Sequence, residues 1–169
     1  MTLITEAGAV EDRFTRADTI DAALALDGPV LIPLSIADEF AKARPGTEFG
    51  VSLPGSTSIE DVQPHLAGAS LVTIEFPAFA DGRGFSLAKK ISREGFSGTL
   101  RASGPLIADE FADALACGFT EVELPETMAN RQPVQQWLAA KDTMTEHYQS
   151  GYGRGPSILQ KRLAARKGA

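Results

Sequence analysis

The chain has 169 residues, 43% of them apolar and 22% charged, which suits one globular unit burying about 70% of its unfolded surface. No run of about 18 apolar residues is present to cross a bilayer, and the start, "MTLITEAGAVEDRF", has neither the basic nor the apolar segment of a secretory signal. Cys117 is the only cysteine, so an internal disulfide, a CxxC redox pair and a Cys-rich zinc or iron–sulfur site are all excluded, and a cytoplasmic location is expected.

The net charge of −6 is the balance of +5 on residues 147–169 and −11 on the rest. An acidic body repels phosphate over most of its surface, so neither nucleic acid nor a membrane is expected as a partner. The basic end reads either as a solvated terminus or as a docking element for an acidic partner. Residues 1–150 are expected to form a single α/β domain, with 151–169 a basic, flexible tail.

Taken in chain order, "LITEAGAVEDRF" alternates around an Ala-Gly turn and predicts an N-terminal β-hairpin. "TRADTIDAALAL" predicts a weak helix ending at Asp27-Gly28. A regular rhythm follows. Short apolar strands are predicted at 29–34, 48–53, 70–76, 98–103 and 120–124, with helical patterns at 36–43, 58–67, 84–94, 105–117 and 128–147. This spacing is that of βα units joined by right-handed crossovers, so the fold class is α/β with a mainly parallel five-stranded sheet. Gly95 and Gly118 fit the left-handed position that ends a helix, and Pro105 fits a first turn.

The strands are not apolar throughout, as a sheet covered on both faces requires. With a period of two, one face carries Val30, Ile32, Leu34, Phe49, Val51, Leu53, Val72, Ile74, Phe76, Leu100, Ala102, Val122 and Leu124. The other carries Ser35, Gly50, Ser52, Thr73, Glu75, Thr99, Arg101, Ser103, Glu121 and Glu123. Helices on the apolar face alone favour a one-sided, partial-barrel-like sheet over an open flavodoxin-like one.

Ligands of parallel α/β folds meet the carboxyl ends of the strands. Those ends supply Ser35, Glu75, Asp81 with Arg83, Arg101 with Ser103, and Glu123. Glu75 and Glu123 are the candidate catalytic carboxylates, one of them serving as a general base. Arg101 and Ser103 are candidate substrate-binding groups, and Arg101 could equally be an ion-paired bridge between the two carboxylates. In "ADGRGFS", Gly82 and Gly84 would allow positive φ and close approach of a ligand. Asp81 and Arg83 complete the candidate binding loop, where a helix N-terminus and a guanidinium suit an anion. The loop is neither GxxxxGK[ST] nor GxGxxG, so no nucleotide is expected. His65 and His147 have no partner spacing for a metal, Cys117 reads as a buried thiol, and Trp137 and Tyr148 are expected to pack the last helix.

Around "IEFPAFADGRGFSLAKKI…GFSGTLRASGPLIADEFADALACGFTEVEL", residues 70 to 124 resemble a bacterial family of unknown function whose members are labelled oxidoreductases of sulfite reduction. The shared blocks are EFP-x-F-x-DGR-x-[FY]-S, GELRA-x-G, VL-x-DQ and CGF-x-x-[FV]-E. Thr99, Glu110 and Ala116 stand where that pattern has Glu, Gln and Arg. The resemblance implies an accessory role in assimilatory sulfite and sulfate reduction, with sulfite reductase or its electron donor as partner. No flavin, nicotinamide, haem or iron–sulfur signature is present, so no cofactor is expected and a partner would carry the electrons. The alternatives are a small stand-alone lyase- or isomerase-type enzyme binding an anionic molecule, or a homodimer that buries the polar face against its copy.

Overall fold

The computed structural model describes residues 1–141. The basic tail, His147, Tyr148 and the end of the 128–147 helical pattern lie outside the described residues.

The hairpin forms as β1 (Thr2–Thr5) and β2 (Gly8–Val10). Its turn is Glu6-Ala7 rather than Ala-Gly, because Gly8 is already the first residue of β2 and takes a φ of +127°, which a side chain disfavours. The Thr5 hydroxyl donates to the Gly8 carbonyl at 3.0 Å and closes the turn. Five strands follow the predicted βα rhythm to within about a residue at most ends: β4 (Val30–Pro33), β5 (Phe49–Pro54), β6 (Leu71–Glu75), β7 (Thr99–Ser103) and β8 (Glu121–Leu124).

The sheet has eight strands, not five, in the order β2-β1-β8-β7-β6-β5-β4-β3. The hairpin joins the sheet, β1 pairing antiparallel with β8 so that Leu3 faces Glu123 and Ile4 faces Val122. At the opposite edge lies β3 (Thr15–Arg16), in a segment whose composition predicts the start of a helix. Ladder bonds decide the matter: Thr15 N–H donates to the Pro29 carbonyl at 3.0 Å and Ala17 N–H to that of Leu31 at 2.9 Å. The helix is thereby delayed to α1 (Ile20–Leu24), where the Thr19 hydroxyl caps the Ala22 amide at 3.3 Å.

The other helices are α2 (Ala37–Ala43), α3 (Ile59–Val62), α4 (Arg83–Arg93), α5 (Phe111–Cys117), α6 (Glu126–Ala129) and α7 (Val134–Ala140). Residues 126–140 are thus two short helices instead of the start of one long one. Pro133 has no N–H to continue a ladder and disfavours a helical residue before it, so it opens a new helix instead. Gly118 ends α5 at a φ of +105°, as its place in the sequence suggests, whereas Pro105 sits ahead of the first helical turn, which begins at Ala108.

The period-two division of the strands holds in the observed register. Val51 pairs with Val72, Val72 with Leu100, and Ala102 with Val122. These side chains pack with Phe40 of α2, Val62 of α3, Leu87 and Ile91 of α4, Phe111 of α5 and Trp137 of α7 in one apolar core. A small separate cluster, Phe14, Leu31 and Leu71, lies on the opposite, polar face. With its helices on one face the sheet curls into an open half-barrel, polar side inward, and residues 11–14 run from one edge of it to the other. No helix among the described residues is long and apolar enough to cross a membrane.

Candidate functional site

The concave face is organised in layers set by strand register. Thr73, Arg101 and Glu121 share one level across β6, β7 and β8, and Glu75, Ser103 and Glu123 share the next. Arg101 is 1% exposed. It grips the Asp12 carboxylate with two bonds, Nη1 to Oδ2 at 2.6 Å and Nη2 to Oδ1 at 2.9 Å, and its Nε donates to Glu121 at 2.9 Å. Burial by itself would raise the Asp12 carboxyl, but the hydrogen bonds from Arg101 and from the Phe14 amide, with the charges of Arg101 and Arg16, leave it below its ordinary value. Burial likewise opposes the Arg101 charge, and its carboxylate partners outweigh this.

In the next layer Arg16, reaching over from β3, stands 3.7 Å from Glu75 and 3.1 Å from Glu123. The Glu123 side chain is 6% exposed and that of Glu75 48%. Ser103, buried, lies between the two in register. Below them the Thr73 hydroxyl is fully buried with no hydrogen-bond partner among the described residues.

The structure therefore brings Glu75, Arg101, Ser103 and Glu123 onto one face, as their spacing predicts, but the guanidinium between the two carboxylates is Arg16. Arg101 sits one layer lower and is held by Asp12 and Glu121. Sequence reasoning missed Arg16 and Asp12. A signal was present: Asp12, Phe14 and Arg16 fall at alternate positions of an extended segment, on the same face as Leu31 and Arg101.

The 77–84 loop is built differently from the predicted ligand mouth. Gly82 has a φ of −73°, and Gly84 is not among the positive-φ glycines. Gly84 is required for another reason: a Cβ there would collide with the Phe76 ring, and one on Gly55 would stand 3.0 Å from the Gly84 amide nitrogen. The close approach is between parts of the same chain. Asp81 accepts from the Arg83 amide at 3.2 Å and from its Nε and Nη2 at 2.9 and 2.6 Å, so it fastens the first turn of α4. The Arg83 hydrogen bonds hold the Asp81 carboxyl down to about 2, and the same pairing raises Arg83. What the loop does present is Phe79, 56% exposed.

Cys117 is buried at the end of α5. Ser35 lines a different cavity, described below. Among the described residues no three His, Cys, Asp or Glu side chains come together as a metal site.

Fold and site define a class: an α/β half-barrel whose concave polar face is locked by two ion-paired guanidinium groups. A family model described as "Bacterial protein of unknown function (DUF934)" matches residues 50–158, more than half of the chain, and the protein belongs to that family. No curated protein matches the chain significantly.

Proposed function

We propose that the protein is an accessory protein of assimilatory sulfite reduction, acting by docking on sulfite reductase or its electron donor. The sulfur-assimilation part is supported by the resemblance of residues 70–124. The docking part is supported by one observation. Three guanidinium groups on or beside the strands are already held by carboxylates: Arg16 by Glu75 and Glu123, Arg83 by Asp81, and Arg101 by Asp12 and Glu121. An anion would have to displace a carboxylate to bind, whereas the loop carrying Phe79 offers an exposed aromatic group of the kind enriched at protein interfaces.

A pull-down of the full chain against sulfite reductase and against its electron donor tests this. Co-purification that Phe79→Ala weakens is the expected result, and retention of neither partner would sink the proposal.

The stand-alone enzyme remains a second reading because Glu75 is half exposed at a strand carboxyl end and only loosely held by Arg16. A thermal shift with sulfite, sulfate, phosphate or a small carboxylate that Glu75→Gln abolishes would favour it over docking.

A further inference from the structure

A cavity of about 520 Å³ opens at the carboxyl ends of β4 and β5, beside the ion-paired face. Its polar lining is Ser35, Asp38, Ser52, Thr57, Asp61 and His65, and Leu34 with the strand-end prolines Pro33 and Pro54 forms an apolar wall. The volume falls within the range of small-molecule sites, about 300–1,000 Å³, and the position is the one at which parallel α/β sheets receive ligands.

The hydrogen-bonding state of the lining says what would fit. The Thr57 hydroxyl spends its proton on the Pro54 carbonyl at 2.7 Å. The buried Ser52 hydroxyl points its proton at the Ile32 carbonyl, 3.5 Å away. Asp61 accepts from Ser58 through one oxygen, Oδ2, at 2.9 Å, which leaves the other. Asp38 stands 3.4 Å from His65 Nδ1, so this pair ties the segment after β4 to the turn after α3. Among the described residues no lysine or arginine lines the cavity. The Thr57 and Ser52 protons are committed to backbone carbonyls, so these hydroxyls present lone pairs beside the Asp38 and Asp61 carboxylates, with Ser35 and the His65 ring completing the polar lining. Such a lining accepts hydrogen bonds and carries negative charge.

We infer that this cavity is a binding site for a small organic cation, an alkylammonium whose N–H groups meet Asp38 and Asp61 while its carbon chain lies on the wall of Leu34 and the strand-end prolines. A metal ion is a poorer occupant, since no three ligating side chains converge here among the described residues. An anion is repelled. The inference does not rest on the docking proposal, because neither Phe79 nor Arg16 lines the cavity.

Amide-resolved NMR titration of the full chain with 1,4-diaminobutane, and in separate arms with glycerol and with sulfate, provides the test. The diamine is expected to give saturable shifts centred on Ser35, Thr57 and His65, with glycerol and sulfate leaving these amides unmoved. Asp38→Asn and Asp61→Asn each keep the side-chain volume and should each weaken the diamine about fivefold or more. Asp21→Asn, a carboxylate of α1 outside the cavity, should leave affinity unchanged. Unaltered spectra elsewhere show that the variants are folded. No saturable shift, wild-type affinity in both cavity variants, or occupation of these residues by glycerol or sulfate instead would each overturn the inference.

Discussion

Arg16 Nη2 and Glu123 Oε2 meet at 3.1 Å although their strands, β3 and β8, are separated by β4, β5, β6 and β7. In a flat sheet five strand-to-strand steps would put them about 24 Å apart, beyond the combined reach of the two side chains. The contact therefore measures the curl of the sheet. It also shows what spans the concave face: β3 and β8, the first and last strands of the parallel part of the sheet, are joined across it, with residues 11–14 lying beneath as a strap.

Arg16→Ala should accordingly act on stability. It leaves Glu123, almost wholly buried, without its cation. Removing one partner of a buried pair costs roughly 3–5 kcal/mol, and since Arg16 is itself one-third exposed, about 1–3 kcal/mol is expected here. Urea unfolding would show this as a lower midpoint with an unchanged slope. A loss under about 0.5 kcal/mol, the level of an ordinary surface substitution, would mean that β3 and β8 are not coupled through this pair.

Arg101 should be less forgiving. All three kinds of guanidinium nitrogen are engaged by Asp12 and Glu121, and the residue is buried. Arg101→Met strands two carboxylates and should cost about 3–5 kcal/mol. Arg101→Lys restores the charge but not the two-pronged grip on Asp12 and should recover only part of that. If Arg101 served chiefly to hold a ligand, the lysine and methionine variants would unfold at nearly the wild-type urea midpoint. That outcome would argue for a binding role.

These two arginines mark the limit of what was legible beforehand. The βα rhythm and the two-residue period located β4 to β8 and assigned their faces, because strand spacing and side-chain alternation are local properties. The mates of Arg101 and Glu123 are not local: Asp12 and Arg101 lie 89 residues apart, and Arg16 and Glu123 lie 107 apart. They meet only once the sheet has curled. Thr15 and Arg16 were hidden for a related reason. Their neighbours favour a helix, and only the exposed edge of β4, supplying the Pro29 and Leu31 carbonyls, turns them into a strand. In the 77–84 loop the residue types suggested a ligand approach, but the same glycine serves a Phe76 ring that packs on it from within the chain.

The Asp12–Arg101 pair also sets an acid dependence. The folded-state value of Asp12 lies below its ordinary 3.8, so the unfolded chain takes up the proton first as pH falls. The stabilisation is present in full above the ordinary value and is lost as pH drops through the lowered one. Urea midpoints of the wild type and of Asp12→Asn should differ at neutral pH and converge below about pH 4. Asp81 is also depressed, to about 2, but its partner Arg83 is exposed, so Asp81→Asn should alter the curve less. A gap between the wild type and Asp12→Asn that stays constant down to low pH would show that the Asp12 charge is not what holds the strap.

Gly84→Ala separates the structural role of the "DGRGF" segment from a ligand-binding one. A methyl group at this buried position would occupy the space of the Phe76 ring, which itself packs at 5.0 Å from Phe85 and 5.9 Å from Phe119. Because three aromatic rings interlock there, Phe76 cannot swing aside without disturbing its neighbours, and overpacking of this kind costs roughly 1–3 kcal/mol. Alanine favours a helix over glycine by up to about 1 kcal/mol, so the helical gain only partly offsets the clash. Gly82→Ala is the matched control: its φ of −73° suits any residue, and a Cβ there meets nothing within 4 Å. The midpoint of Gly84→Ala should fall while that of Gly82→Ala stays level or rises. The reverse order, or equal and negligible effects, would mean that the segment is not packed as described, and the ligand-mouth reading of its glycines would regain ground.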